Sequence, residues 1–464
     1  MANKLNAVMK QLLIRMFRRI GIDKSIAYSS GAKVVGGITG SITIFFLTTF
    51  LTGAEQGFYY TFGSLLAMQV FFELGLTGIM TQFVAHESAH LTLNDKGQYE
   101  GSDYYRSRLA SLVQFCVKWY SILSVVAFVF LTIVGFVYFD KYGSNESDVD
   151  WQIPWVLVCI GTCIRIFQSP FNSILMGLGK VKEMSMIGFY SQLIQPISIW
   201  ICLVLGLNLY CAGISCIISV GLWQILVDKE GLTKLILNLY KIRVNERVAY
   251  LKEIFPFQWK IALSWVSGYF IFQLFNPVLF ATDGAIVAGQ MGMTLQGLNA
   301  IEAFSYSWIG TKIPRFSGLI ALKNYEELDS LFSKTKRQMV AVCSFLLAVF
   351  FLFVFILKET KFEIMGNIIG DRFLDYLPMA LMVFPVFLMQ FTNCWATYLR
   401  CHKEEPFLYN SIVTGVLCLL STFFLGRKFG IYGVTVGYCT IQTVLFPWGY
   451  YLYKTYKRKW HNER

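Results

Sequence analysis

"TGAEQGFYYTFG" at residues 52–63 and "TDGAIVAGQMG" at residues 282–292 read as two versions of one turn. Each joins a pair of long apolar runs, carries one acid (Glu55, Asp283) at the tip and reaches a glycine (Gly63, Gly292) on the way down. The acids are 228 residues apart; Gly63 and Gly292, then Glu73 and Glu302, are 229 apart. Further along, Asn172, Leu178, Lys182 and Glu183 match Asn393, Leu399, Lys403 and Glu404 at a constant 221. The letters agree weakly, but order and depth agree, so the chain reads as a repeated unit.

Composition says what the unit is. Of 464 residues 55% are hydrophobic, 17% aromatic and only 15% charged, against roughly 25% charged in a soluble domain. Apolar runs of membrane-crossing length recur throughout, without the period-2 alternation of a membrane barrel. We read about twelve helical spans, near 26–51, 57–82, 112–138, 153–176, 184–206, 208–228, 257–280, 285–310, 338–357, 375–397, 406–426 and 431–453. The fold class is an all-α integral membrane protein: two six-helix lobes, parallel repeats because six is even, around a central cavity. The expected division is a basic amphipathic N-terminus (1–25), a first lobe (26–228), a basic inter-lobe loop (229–256), a second lobe (257–453) and a basic tail (454–464). No cleavable signal is evident, since the first apolar run is too long for a signal core.

Charge sets the orientation. With a cytoplasmic N-terminus, 30 of the 40 Lys and Arg fall on the cytoplasmic side, 6 outside and 4 within spans, as the positive-inside rule requires. Both termini are then cytoplasmic, and the net charge of +12 describes membrane orientation rather than nucleic-acid binding. Residues 4–20 place Leu5, Val8, Leu12, Met16 and Ile20 on one stripe among basic residues, as in a helix lying on an anionic leaflet.

Three stretches carry a family resemblance: "LTGAEQGFYYTFGSLLAMQVFFELGLTGIMTQFVAHESAHL" (51–91), "NSILMGLGKVKEMSMIG" (172–188) and "IGTKIPRFSGLIALKNYEELDSLF" (309–332). They resemble the polysaccharide-repeat (O-antigen) flippases of the multidrug/oligosaccharidyl-lipid/polysaccharide exporter superfamily. The resemblance covers nearly the whole chain through diffuse motifs. It implies a bacterial inner-membrane transporter that moves undecaprenyl-diphosphate-linked oligosaccharide from the cytoplasmic to the outer leaflet by alternating access, for surface polysaccharide assembly. Its expected partners are that lipid-linked oligosaccharide, membrane lipids and other glycan-assembly membrane proteins, with no nucleic acid.

The polar residues inside spans are the candidate site. Arg165 lies about 20 Å along the fourth span, close to the midplane, where a charge must face protein or water. A guanidinium there suits a diphosphate, and Gln168 and Asn172, at i+3 and i+7, share its face and reach for sugar hydroxyls. Its alternative is a structural arginine tied to carbonyls or a glutamate. The equivalent position of the second half is Val386, so the site is asymmetric. Lys33 with Glu73, and Lys260 with Glu302, sit about 30 Å from the outer turn of each hairpin. They read as local ion pairs or snorkelling lysines, or as a cytoplasmic gate with a protonatable carboxylate. Lys118, at the cytoplasmic end of the third span, is a candidate for headgroup recruitment. Gly31, Gly36, Gly37 and Gly40 read as a close-packing face of the first span.

No phosphate-binding glycine loop occurs, and no Ser/His/Asp or Cys/His cluster points to catalysis. "HESAH" (86–90) lacks a third ligand and reads as the capped end of the second span. The 11 cysteines fall mostly in apolar runs as small hydrophobes. No cofactor is expected; a coupling ion, proton or sodium, stays open. A drug/cation antiporter of the same superfamily is the runner-up, disfavoured by a midplane cation. A glycan polymerase or acyltransferase would need larger external loops.

Overall fold

The computed structural model describes residues 24–94, 97–144, 148–402 and 405–462, with side chains from residue 35 onward apart from 257, 314, 321, 461 and 462. The amphipathic stripe at 4–20 and the Lys33 side chain lie outside this description. The first lobe contains α1 (Lys24–Phe50), α2 (Gly53–Leu66, prolonged by a 3-10 turn and a short helix to Glu73), α3 (Leu76–Ser88), α4 (Asp103–Tyr142), α5 (Gln152–Gly177), α6 (Val181–Val204) and α7 (Tyr210–Lys229). A surface helix, α8 (Leu232–Tyr240), leads to the second lobe. That lobe contains α9 (Phe255–Phe272), α10 (Phe275–Thr282), α11 (Ala285–Gly310), α12 (Ile313–Ala321), α13 (Tyr325–Glu359), α14 (Tyr376–Arg400) and α15 (Leu408–Asn462). Two short hairpins, Leu91–Leu93 with Tyr99–Gly101 and Glu363–Ile364 with Asn367–Ile368, interrupt the helices.

Among the described residues, eight helical stretches are long and apolar enough to cross a membrane, and α2 with α3 adds a ninth, bent by 43°. The bend falls where Leu74 and Gly75 both take positive φ. α15 is two crossings joined at Gly430, whose φ of 56° and ψ of −137° are non-helical. The apolar part of α1 and the 26-residue α11 complete twelve crossings in two six-helix lobes.

The two acids of the repeated turn do matching work. Thr52 and Glu55 form a reciprocal capping box at the start of α2, satisfying N–H groups that a helix start leaves open. The other Glu55 oxygen accepts from Asn208, just before α7, at 2.7 Å. Asp283 accepts the backbone N–H of Ile431 at 2.7 Å, just after the Gly430 break. Each acid therefore anchors the sixth crossing of its own lobe.

Helix lengths exceed the apolar runs in two places. α4 and α13 begin well before the apolar runs at 112 and 338, because hydrophobicity marks only the lipid-facing part of a longer helix. The expected close packing of Gly36, Gly37 and Gly40 is not observed: no atom lies within 4 Å of where a Cβ would sit.

Candidate functional site

The two lobes meet tightly at the end carrying the repeated turns and part at the other, basic end. At the closed end α2 crosses α11 through small residues. A Cβ at Gly57 would lie 1.9 Å from the Ala285 carbonyl oxygen, and one at Gly289 would lie 2.9 Å from the Gly57 nitrogen. This is the small-xxx-small packing that lets membrane helices touch backbone to backbone. Around it, Gln56 donates to the carbonyls of Gly289 at 2.8 Å and Arg372 at 3.2 Å. Arg372, buried, donates to the Leu51 carbonyl at 2.8 Å and to Asn367 at 2.7 Å. Asn367 donates in turn to the Thr49 carbonyl at 3.1 Å. A cation thus clasps the C-terminal end of α1, where helix carbonyls lack partners. Asn276 to Ser64 at 3.2 Å, and Tyr60 to Gln296, extend the seal inward.

At the basic end a cavity of about 1140 Å³ opens between the lobes. The first lobe supplies Gln82, Phe83 and His86 from α3 and Arg108 from α4. The second supplies Trp259, Lys260, Ser264 and Trp265 from α9, and Arg400, Glu405, Tyr409 and Tyr456 from the α14–α15 region. Both carboxylates in this lining are spoken for. Arg400 holds Glu405 through a fork, with Nε 2.8 Å and Nη2 2.8 Å from its two oxygens. Arg108 lies 2.6 Å from Glu253 and 3.0 Å from the buried Glu87. The Arg108 contact holds the Glu253 carboxyl below its ordinary range, helped by the Ala249 N–H. Lys260 is exposed, lies 5.8 Å from the Trp259 ring centre and forms no ion pair among the described residues.

The residues singled out in the sequence are spread over three places. Lys260 lines the cavity. Its expected partner Glu302 instead accepts from Asn393 at 2.8 Å, and Glu73 faces the Ser169 hydroxyl. Glu302 therefore ties the second crossing of its lobe to the fourth, and the expected Lys260–Glu302 pair is absent. Arg165, Gln168 and Asn172 hold α5 against its own lobe. Arg165 donates to Gln195 at 3.2 Å and lies 3.5 Å from the Cys216 sulfur; Gln168 donates to the Val220 carbonyl at 3.1 Å; Asn172 accepts from Trp223 at 3.0 Å. Arg165 stays exposed, has no carboxylate partner among the described residues, and is not in the lining of the large cavity. Lys118 lies in a separate groove on α4. Glu87 of "HESAH" is held by Arg108, and His90 stacks on Tyr105 at 4.0 Å.

Sequence reading passed over Arg108, Arg372, Arg400 and the Gly57–Gly289 crossing. The crossing had a signal: Gly53 and Gly57 in one hairpin, and Ala285 and Gly289 in the other, are pairs of small residues four apart, about one helical turn out of step with the repeat.

No protein-family model matches the chain, and no curated protein does. Among solved structures it is similar to an inward-facing multidrug resistance MATE family transporter of the MOP superfamily. That likeness has a TM-score of 0.60 at 14% identity, over 91% of this chain and 99% of that one. It is also similar to a MOP superfamily transporter from Pyrococcus furiosus Vc1, with a TM-score of 0.48 at 13% identity, over 93% and 94%. A third likeness is to a MATE in the bent conformation, with a TM-score of 0.46 at 14% identity, over 94% and 99%. The first of these likenesses, at 14% identity, is one of fold alone: the chain is a multi-pass membrane protein with the two-lobed fold of that MATE transporter.

Proposed function

We propose that the chain is a secondary transporter that moves an anionic lipid-linked sugar, of the undecaprenyl-diphosphate oligosaccharide class, between leaflets of a bacterial cytoplasmic membrane. The basic end faces the cytoplasm, as does each terminus, and the lobes rock between the open state described here and one open at the other end. The observation that carries this reading is the chemistry of the cavity: a lysine among aromatic rings with no ion-pair partner among the described residues, and both carboxylates of the lining ion-paired to arginines. Its volume exceeds the roughly 300–1,000 Å³ of ordinary small-molecule sites, which suits an oligosaccharide headgroup.

Lys260 is the first contact for the diphosphate. Trp259, Trp265 and Tyr409 offer ring faces to sugars, and the prenyl tail stays in lipid outside the gap between α3 and α9. Arg165, Gln168 and Asn172 form a second polar station inside the first lobe, with Arg165 held among the described residues by an amide and a thiol and so able to turn to a phosphate. Glu73 and Glu302 are candidates for the coupling ion.

The competing reading, a cation or multidrug exporter, is favoured by what the structure of similar fold is described as doing. A cationic drug, however, needs an unpaired carboxylate, and this cavity offers none among its described residues. Titrating purified protein with a short-chain prenyl diphosphate and with a lipophilic cation separates the two. Saturable quenching of tryptophan by the diphosphate, weakened in Lys260→Gln, supports the proposal; binding of the cation alone overturns it.

A further inference from the structure

A second concave site lies outside the cavity, on the flank of the first lobe. α4 is 40 residues long, or about 60 Å at 1.5 Å per residue, twice the roughly 30 Å of bilayer hydrocarbon. Its charged first turns therefore stand clear of the membrane at the basic end. Lys118 and Trp119 come within the first two turns of the apolar run, the residue types that mark the headgroup level. There the inter-lobe segment climbs along α4. Ser107 accepts the N–H groups of Asn245 and Glu246, each at 2.8 Å, Ser111 accepts that of Val248 at 3.1 Å, and Gln114 donates to the carbonyls of Tyr240 and Ile242. These residues clamp the segment to one stripe of α4 and leave a groove of about 290 Å³ beside it.

The groove has the parts of a headgroup site. Lys118 lines it from α4 and Arg247 from the inter-lobe segment, both exposed and without an ion-pair partner among the described residues. Trp119, Phe115 and Tyr250 form its apolar sides, Phe115 and Tyr250 with ring centres 5.2 Å apart, and no Asp or Glu lines it. From its mouth an aliphatic track of Ile122, Val125, Val129, Ile133 and Val137 runs down α4, each more than half exposed. Charge for a phosphate at the headgroup level, continuous with a lane for an acyl chain, matches one occupant. We infer that this groove binds an anionic phospholipid of the surrounding leaflet, which bridges α4 and the segment leading to α9 and so sets how firmly the inter-lobe connection holds to the first lobe. The site is independent of what the cavity carries.

Native mass spectrometry of the purified full-length protein tests this, with phosphatidylglycerol and phosphatidylcholine of identical chains as probes. The expected result is a preferred phosphatidylglycerol adduct whose affinity falls about tenfold in Lys118→Ala/Arg247→Ala, since each basic group at a membrane surface contributes a few-fold. It is retained in Lys118→Arg/Arg247→Lys and in Arg458→Ala/Lys459→Ala, which changes exposed cations elsewhere at the same end. In parallel, phosphatidylglycerol should slow hydrogen exchange of residues 241–254 in the wild type. Equal binding of both lipids, or a preference unchanged in the Ala pair, would overturn the inference. So would displacement of phosphatidylglycerol by equimolar prenyl diphosphate, which would make the groove a station for transported lipid.

Discussion

The closed and open ends of the inter-lobe interface use opposite means. The closed end has glycines, amides and one buried arginine, arranged so that backbones touch and carbonyls are filled. The open end has exposed cations, aromatic rings and arginine–carboxylate pairs kept within loops or at the rim. Short-range packing is lost all at once when lobes separate, whereas solvated charges tolerate separation. The first suits a seal that must be either shut or open; the second suits a solvated vestibule.

The largest effect should come from the crossing itself. Gly57→Leu places side chain where the Ala285 carbonyl stands, and overpacking of this kind costs about 3 kcal/mol. The lobes should part at the closed end, with transport abolished and a lengthened distance between spin labels at residues 54 and 286; an unchanged distance would show that the crossing is not the seal. Arg372→Gln should be next. It removes charged hydrogen bonds to Leu51 and Asn367 worth about 2 kcal/mol together, and should lower the melting temperature and expose the closed end to aqueous labels without changing binding at the basic end. Lys260→Gln should act on the other end alone, weakening diphosphate binding about tenfold with the melting temperature unchanged and partial rescue by Lys260→Arg. The smallest effect belongs to the rim. Because Arg108 lowers the Glu253 pKa, the stabilisation is complete above the unfolded value and is lost only as pH falls through the lowered one. Glu253→Gln should lie less than about 1 kcal/mol below wild type at neutral pH, and the two stability curves should converge in acid below about pH 4.

The helices were largely legible in sequence and the contrast between the two ends was not, for physical reasons. The span at 285–310 coincides with α11 because a tight turn bounds one end and a continuous helical run fills it. The break at Leu74–Gly75 was not legible, since a single left-handed pair inside an apolar run leaves hydropathy unchanged. Depth was readable and azimuth was not: counting from the turn placed Lys260 at the level of the cavity and Arg165 near mid-membrane. Only packing shows that one faces the gap between lobes while the other leans on α6 and α7. Arg108, Arg372 and Arg400 were counted as loop charges because their partners depend on how loops and lobes come together. Arg372 meets a carbonyl 321 residues away.

The proposed function has the open end receive an anionic lipid-linked sugar through Lys260. Its most direct test is the leaflet distribution of lipid-linked oligosaccharide in cells carrying wild type, Lys260→Gln or Arg165→Gln at matched protein levels. Lys260→Gln should trap the oligosaccharide in the cytoplasmic leaflet with loss of surface glycan, and Arg165→Gln should do so in proportion to its part as second station. Normal export by Lys260→Gln would contradict the account.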